Sequence, residues 1–121
     1  MKTYYWTRNP EVIKNKKWRR FVSESKKIFA NSLISIANIY GEYESKPQIS
    51  KDFIAFNGED GDKADYFCMC KDPLYDSDVD VDGLVVGYCE TKGKLYEKVV
   101  ENILNKAFKL EVIESWWKNE Q

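Results

Sequence analysis

Two stretches of this chain repeat apolar side chains every three or four residues, the period of one helix face, and this does most to limit what it can fold into. In the first, Trp18, Phe21, Val22, Ile28, Phe29, Leu33, Ile36 and Tyr40 fall on one side. Asn9 can cap such a helix, Pro10 suits the first helical position because no partner exists there for an N–H, and Gly41 suits the stop. The spacing predicts a long helix from Pro10 to Gly41. In the second, Leu95, Tyr96, Val99, Val100, Ile103, Leu104, Ala107 and Phe108 predict a helix within residues 91–109, capped by Thr91 or Gly93.

Between and after these helices the pattern is that of strands. "ISKDFIAFNG" is rich in β-forming residues and ends on Asn57-Gly58, a turn signal. "DYFCMC" returns as its hairpin partner, and "LVVGYCE" is an unbroken apolar run that suits a central strand buried on both faces. "LEVIESWW", with Leu110, Val112 and Ile113, reads as a last edge strand, and "TYYW" as an aromatic lead-in to the first helix. The expected order is α-β-β-β-α-β. It gives an α+β two-layer sandwich, a mostly antiparallel sheet with both helices on one face, as a single domain over residues 1–121.

Apolar residues are 43% of the chain and aromatic residues 15%, too many for a disordered polymer. No apolar run approaches the roughly 18 residues of a membrane span, and "MKTYYWTRNP" lacks the apolar core of a signal peptide. A cytoplasmic chain with no membrane partner is expected. The odd count of cysteines, Cys68, Cys70 and Cys89, fits reduced thiols better than a disulfide framework. Cys68 and Cys70 share a strand face, and with Cys89 and a carboxylate such as Asp72 they are the raw material of a thiolate metal site. Buried thiols more commonly act as small apolar groups, so no cofactor is expected.

Histidine is absent, which removes Ser-His-Asp and Cys-His mechanisms and the commonest zinc ligand. No glycine-rich phosphate loop or dinucleotide fingerprint occurs. Asp78, Asp80, Asp82 and Gly83 match the opening of a calcium loop, with Val85 at its apolar position. The position of the bidentate Glu holds Cys89, however, Glu90 arrives one residue late, and a strand follows where a helix is required. An acidic turn is the expectation, with Asp78, Asp80 and Asp82 (Asp76 assisting) as the metal alternative.

Net charge is −1, yet the charges are segregated. Residues 1–30 carry nine Lys/Arg against two Glu, while residues 42–90 carry thirteen Asp/Glu against four Lys. Segregation of this kind marks interaction surfaces. The basic segment, with Trp18 among Lys14, Lys16, Lys17, Arg19 and Arg20, has the composition of a phosphate-tracking helix, but the acidic segment would repel nucleic acid.

"FIAFNGEDGDKADYF" and "VVGYCETKGKLYEKVVENIL" resemble the motifs of a small uncharacterised family found in phages and related bacterial mobile elements. Its pattern is F-N-G, six loop residues, E-T-F, and later F-C-K-T-x-x-x-P-Y-D. Phe56-Asn57-Gly58, the six-residue loop and Asp65-Tyr66-Phe67 keep the first spacing, and Cys89, Thr91 and Tyr96 keep the second. Tyr88, Glu90, Leu95 and Glu97 depart from it. The resemblance covers roughly residues 53–104 and implies a mobile-element origin. If both motifs meet at one end of the sheet, Asn57, Thr91 and Tyr96 offer convergent polar groups for a small pocket.

The expected function is a non-enzymatic binding module that docks a protein with a basic surface through acidic loops 57–65 and 72–82. Glu59, Asp60, Asp62, Asp76, Asp78, Asp80 and Asp82 are the expected contact residues. The alternative is a small metal-dependent protein that processes nucleotides or nucleic acid through Asp76, Asp78, Asp80 and Asp82.

Overall fold

A computed structural model describes residues 2–75, 78–80 and 82–120. Asp76, one of the expected contact and metal residues, lies outside the described residues. The elements in chain order are β1 (Lys2–Arg8), α1 (Asn15–Asn31), β2 (Ile36–Ala37), β3 (Gln48–Ile49), β4 (Phe53–Gly58), a 3-10 turn (Asp60–Asp62), β5 (Phe67–Cys70), β6 (Val85–Glu90), α2 (Glu97–Lys109) and β7 (Ser115–Glu120). The α+β class holds, with two helices and antiparallel pairing throughout the named strands. The expected single sheet is two sheets, and the order begins with a strand.

That first strand is the main correction. "TYYW" is not a lead-in but the middle of β1, the central strand of a sheet ordered β6-β1-β7. Tyr4, Trp6 and Arg8 alternate inward and are buried. "LVVGYCE", read as a central strand, is the outer strand β6, whose burial alternates because Val86 and Tyr88 face away from the core. In the second sheet β4 is the hub, antiparallel to β2, β3 and β5. The β4–β5 hairpin appears where the sequence puts it.

α1 is shorter than its periodicity. It begins at Asn15, not at Pro10, and Asn9 does not cap it. The Asn9 side chain accepts from the Glu11 N–H (3.0 Å) in a turn ahead of the helix, and Ile13 N–H donates to the Lys71 carbonyl (3.1 Å), which ties the lead-in to the end of β5. At its end, Ser32 Oγ both accepts from the Ile34 N–H (3.0 Å) and lies 2.8 Å from the Ile34 carbonyl, a local turn that competes with helix continuation. Beyond it Leu33 is wholly exposed and Tyr40 is 68% exposed, so neither lies on a buried helix face. Gly41, expected to stop α1, instead has φ +67 in a loop whose carbonyl accepts from Asp60 N–H (2.7 Å).

α2 begins at Glu97, later than Thr91 or Gly93 would start it, because Lys92 and Gly93 both take the left-handed conformation (φ 55 and 72). The expected strand at "LEVIESWW" starts at Ser115. Val112 and Ile113 instead fold under the end of α2, where Val112 N–H donates to the Ala107 carbonyl (2.8 Å), and both are buried. The two helices pack on one another, and α2 reaches β7.

One core serves both sheets. Trp6 of β1 meets Phe67 of β5 (centroids 5.0 Å apart), Phe67 meets Phe56 of β4 (5.2 Å), and Phe56 meets Phe29 of α1 edge-on (5.2 Å). Aromatic pairs at these separations add to the stabilisation from burial alone. The series spans from one sheet through the other to the helix.

Candidate functional site

The sheets face each other across β5 and β6, and among the described residues no ladder joins these two strands. Asp65 N–H donates to the Glu90 carbonyl (3.3 Å) at one end. At the other, Arg8, paired with Val85, donates from Nη1 to the Cys70 carbonyl (2.6 Å). The strands therefore run antiparallel, and between these contacts they part into a cleft of about 370 Å³. Buried Trp6 and Met69 line it deepest, while Tyr66, Cys68, Val86 and Tyr88 form its rim.

The strand alternation explains that division. Phe67 and Met69 of β5, like Val85 and Cys89 of β6, turn to the core, so Tyr66, Cys68, Val86 and Tyr88 alternate to the other side, while Cys70 is buried at the end of its strand. Tyr66 is 51% and Tyr88 66% exposed. The outward row continues across the sheet, because Tyr88 pairs with Tyr5 and Tyr5 with Trp117, whose ring stacks on that of Tyr5 (5.5 Å). Gly87 keeps the wall thin: a Cβ there would stand 2.3 Å from the Trp6 indole.

The acidic loops adjoin the cleft at its two ends. Asp65 closes the loop that follows β4 and lines one end, and Pro73 opens the loop that precedes β6 and lines the other. Within these loops the expected contact residues divide by role. Asp62 is half-buried, and its carboxylate accepts from the N–H groups of Leu95 (2.7 Å) and Tyr96 (3.0 Å), capping α2 from a distant loop. Asp80 Oδ1 accepts from the Asp82 N–H (2.9 Å) and the Leu84 N–H (3.0 Å), while Gly83 takes φ +79. A Val79–Val85 bridge closes that turn. Glu59 is half-buried, and Asp60, Asp78 and Asp82 are exposed.

Asp80 spends its carboxylate on its own turn, as an Asx-turn residue does. Among the described residues no three His, Cys, Asp or Glu side chains gather as metal ligands would. Cys68 is half-buried and Cys70 and Cys89 are buried. Burial pushes the Cys89 thiol up to about 12.

Asn57 and Tyr96 do come to one place, but to hold a loop. Asn57 Nδ2 donates to the carbonyls of Ile39 (3.0 Å) and Ala64 (2.9 Å), and its Oδ1 accepts from the N–H groups of Gly58 (2.8 Å) and Ala64 (3.1 Å). An amide side chain has two donors and two acceptor sites, so all are spent. The Tyr96 hydroxyl donates to the Asp65 carbonyl, which Cys89 Sγ also approaches (3.6 Å). Burial, first, and then Cys89 raise the Tyr96 phenol above its ordinary value. Gly58 admits the same loop: a Cβ there would lie 2.0 Å from the Asp62 carbonyl oxygen.

Thr91 points elsewhere, with Oγ1 3.3 Å from both the Lys2 carbonyl and Glu97 Oε2. Glu97 is buried, and accepts from Lys2 Nζ (3.0 Å) and the Tyr4 hydroxyl (3.4 Å). The hydrogen bond to Glu97 raises the Lys2 ammonium, and burial, followed by the charges of Glu101 and Glu97, raises the Tyr4 phenol. This cluster straps β1 to the start of α2. The sequence pattern does not mark Glu97 as a buried carboxylate, and it signals the cleft not at all, since the approach of β5 to β6 is set by the sheets they belong to and not by spacing along the chain.

In comparisons with known proteins, no family model matches the chain, and no curated protein and no solved structure matches it.

Proposed function

We propose that the chain is a non-enzymatic binding module that docks a protein with a basic surface, with the β5–β6 cleft as the centre of contact and acidic loops 57–65 and 72–82 as its rim. The observation that carries this reading is the exposure of Tyr66 and Tyr88 over a cleft bounded at both ends by those loops. Interfaces commonly combine aromatic anchors at a desolvated centre with a charged border that steers association. Glu59, Asp60, Asp78 and Asp82 supply that border, since Asp62 and Asp80 already cap structure. Encoding by a phage or mobile element belongs to the same proposal and rests on the motif resemblance.

The test is capture from host lysate with three forms of the chain, followed by association kinetics on the recovered protein. Tyr66→Ala/Tyr88→Ala should raise the off-rate, and Asp60→Lys/Asp78→Lys/Asp82→Lys should slow association while leaving the fold intact. A partner retained equally by all three forms would sink the reading.

A further inference from the structure

We infer that a second site, the groove between α1 and the turn after β3, binds a phosphate-bearing ligand, because three cations from two elements line it together. The groove encloses about 420 Å³ and is lined by Arg19, Val22, Ser23 and Lys26 of α1 with Ile49, Ser50 and Lys51. The helical spacing of three and four puts residues 19, 22, 23 and 26 on one face. Arg19, Lys26 and Lys51 are exposed.

Elsewhere on α1 two of the four cations, Lys17 and Lys27, pair with carboxylates, while Lys16 and Arg20 have none among the described residues. Lys27 pairs with Glu24 (3.4 Å) and Lys17 with Glu111 (3.9 Å), and Glu24 also receives Lys106 of α2 (3.9 Å). Among the described residues no carboxylate comes within ion-pair distance of Arg19, Lys26 or Lys51. Like charges around one concavity sum to a positive potential that an anion relieves. The apolar side chains of Val22 and Ile49 reduce the solvent screening that would otherwise weaken it.

The donor set favours phosphate over a single carboxylate. Arg19 offers a planar fork for two oxygens, and the lysines offer point charges to others. Ser23 adds a hydroxyl. Ser50 Oγ accepts from the N–H groups of Asp52 (3.0 Å) and Phe53 (3.2 Å), which fills its acceptor sites and leaves its proton to donate. A tetrahedral group with several anionic oxygens uses all of these at once. A free nucleotide and the backbone of a nucleic-acid strand both present that chemistry.

Calorimetry on the full chain at low salt would use pyrophosphate and ATP, and fluorescence anisotropy would use a labelled single-stranded oligonucleotide. At least one probe should bind. Arg19→Gln/Lys26→Gln/Lys51→Gln should weaken it about tenfold or more, while Lys92→Gln/Lys98→Gln/Lys109→Gln, exposed cations elsewhere, should change it by about twofold at most. The single change Lys51→Glu should weaken binding too, and stands in if the triple variant does not fold. Binding of ATP identifies a free phosphate ester as the source, and binding of the oligonucleotide alone identifies a strand backbone. Absence of binding by every probe, or equal loss in both triple variants, would overturn the site.

Discussion

The carboxylate of Asp62 accepts the backbone N–H of Tyr96 at 3.0 Å, and its other oxygen accepts that of Leu95 at 2.7 Å, so α2 is capped by a residue from the loop after β4. No side chain near α2 in sequence does this, and Tyr96 at the cap position makes no side-chain cap bond. One acidic residue thus joins loop to helix, and the N-terminal partial positive charge of α2 favours it.

Asp62→Ala should therefore lower stability by about 1–2 kcal/mol, at the upper end of N-cap losses, because two N–H groups lose their acceptor together. Asp60→Ala, two residues away and exposed, should change it by less than about 0.5 kcal/mol. Urea unfolding monitored by tryptophan fluorescence distinguishes the two. Equal losses would mean that Asp62 does not cap the helix in solution.

Gly87→Ala puts a methyl where the Trp6 indole already lies, 2.3 Å away. Trp6 is buried and meets Phe67, so it has little room to give. A loss of about 1–3 kcal/mol is expected from this overpacking, whereas Gly61→Ala, with nothing within 4 Å of the added carbon, should lose far less. Thermal melting of both variants checks the contrast.

The Cys89 thiol is held neutral by burial, with its pKa moved from 9.0 to about 12. The raised pKa means that the fold prefers the protonated form. Its contribution is complete below about pH 9 and is lost as pH rises towards 12. Thiol labelling near neutral pH should spare Cys89 in the folded chain, and Cys89→Ala should flatten the alkaline fall in stability between those values. Rapid labelling of Cys89 in the native state at pH 7 would contradict this.

Asp80→Ala should lower stability by about 1 kcal/mol whether or not calcium is present, because its carboxylate serves the N–H groups of Asp82 and Leu84. Calcium titrated by calorimetry should show at best millimolar affinity, given the missing bidentate Glu. A micromolar constant abolished by Asp80→Ala would make the turn a metal loop after all.

Linear spacing is enough to locate the elements whose signals are periodic or chemical: the cores of both helices, the hairpin after Asn57-Gly58, the strand at "VVGYCE" and the acidic turn. Each depends on neighbours within a few residues, so linear spacing carries the information. The ends of α1 were not legible, because Leu33, Ile36 and Tyr40 continue the helical period while Ser32 closes a local turn that the period does not register. Contacts between distant segments place β1 between β6 and β7, bring Asp62 to the start of α2, and set Tyr66 and Tyr88 on the rim of one cleft. These pairings join residues far apart in the chain, and the core decides them. Tyr4, Trp6 and Arg8 become an inner face only once β6 and β7 flank them, and a short aromatic run has no period of its own long enough to announce that.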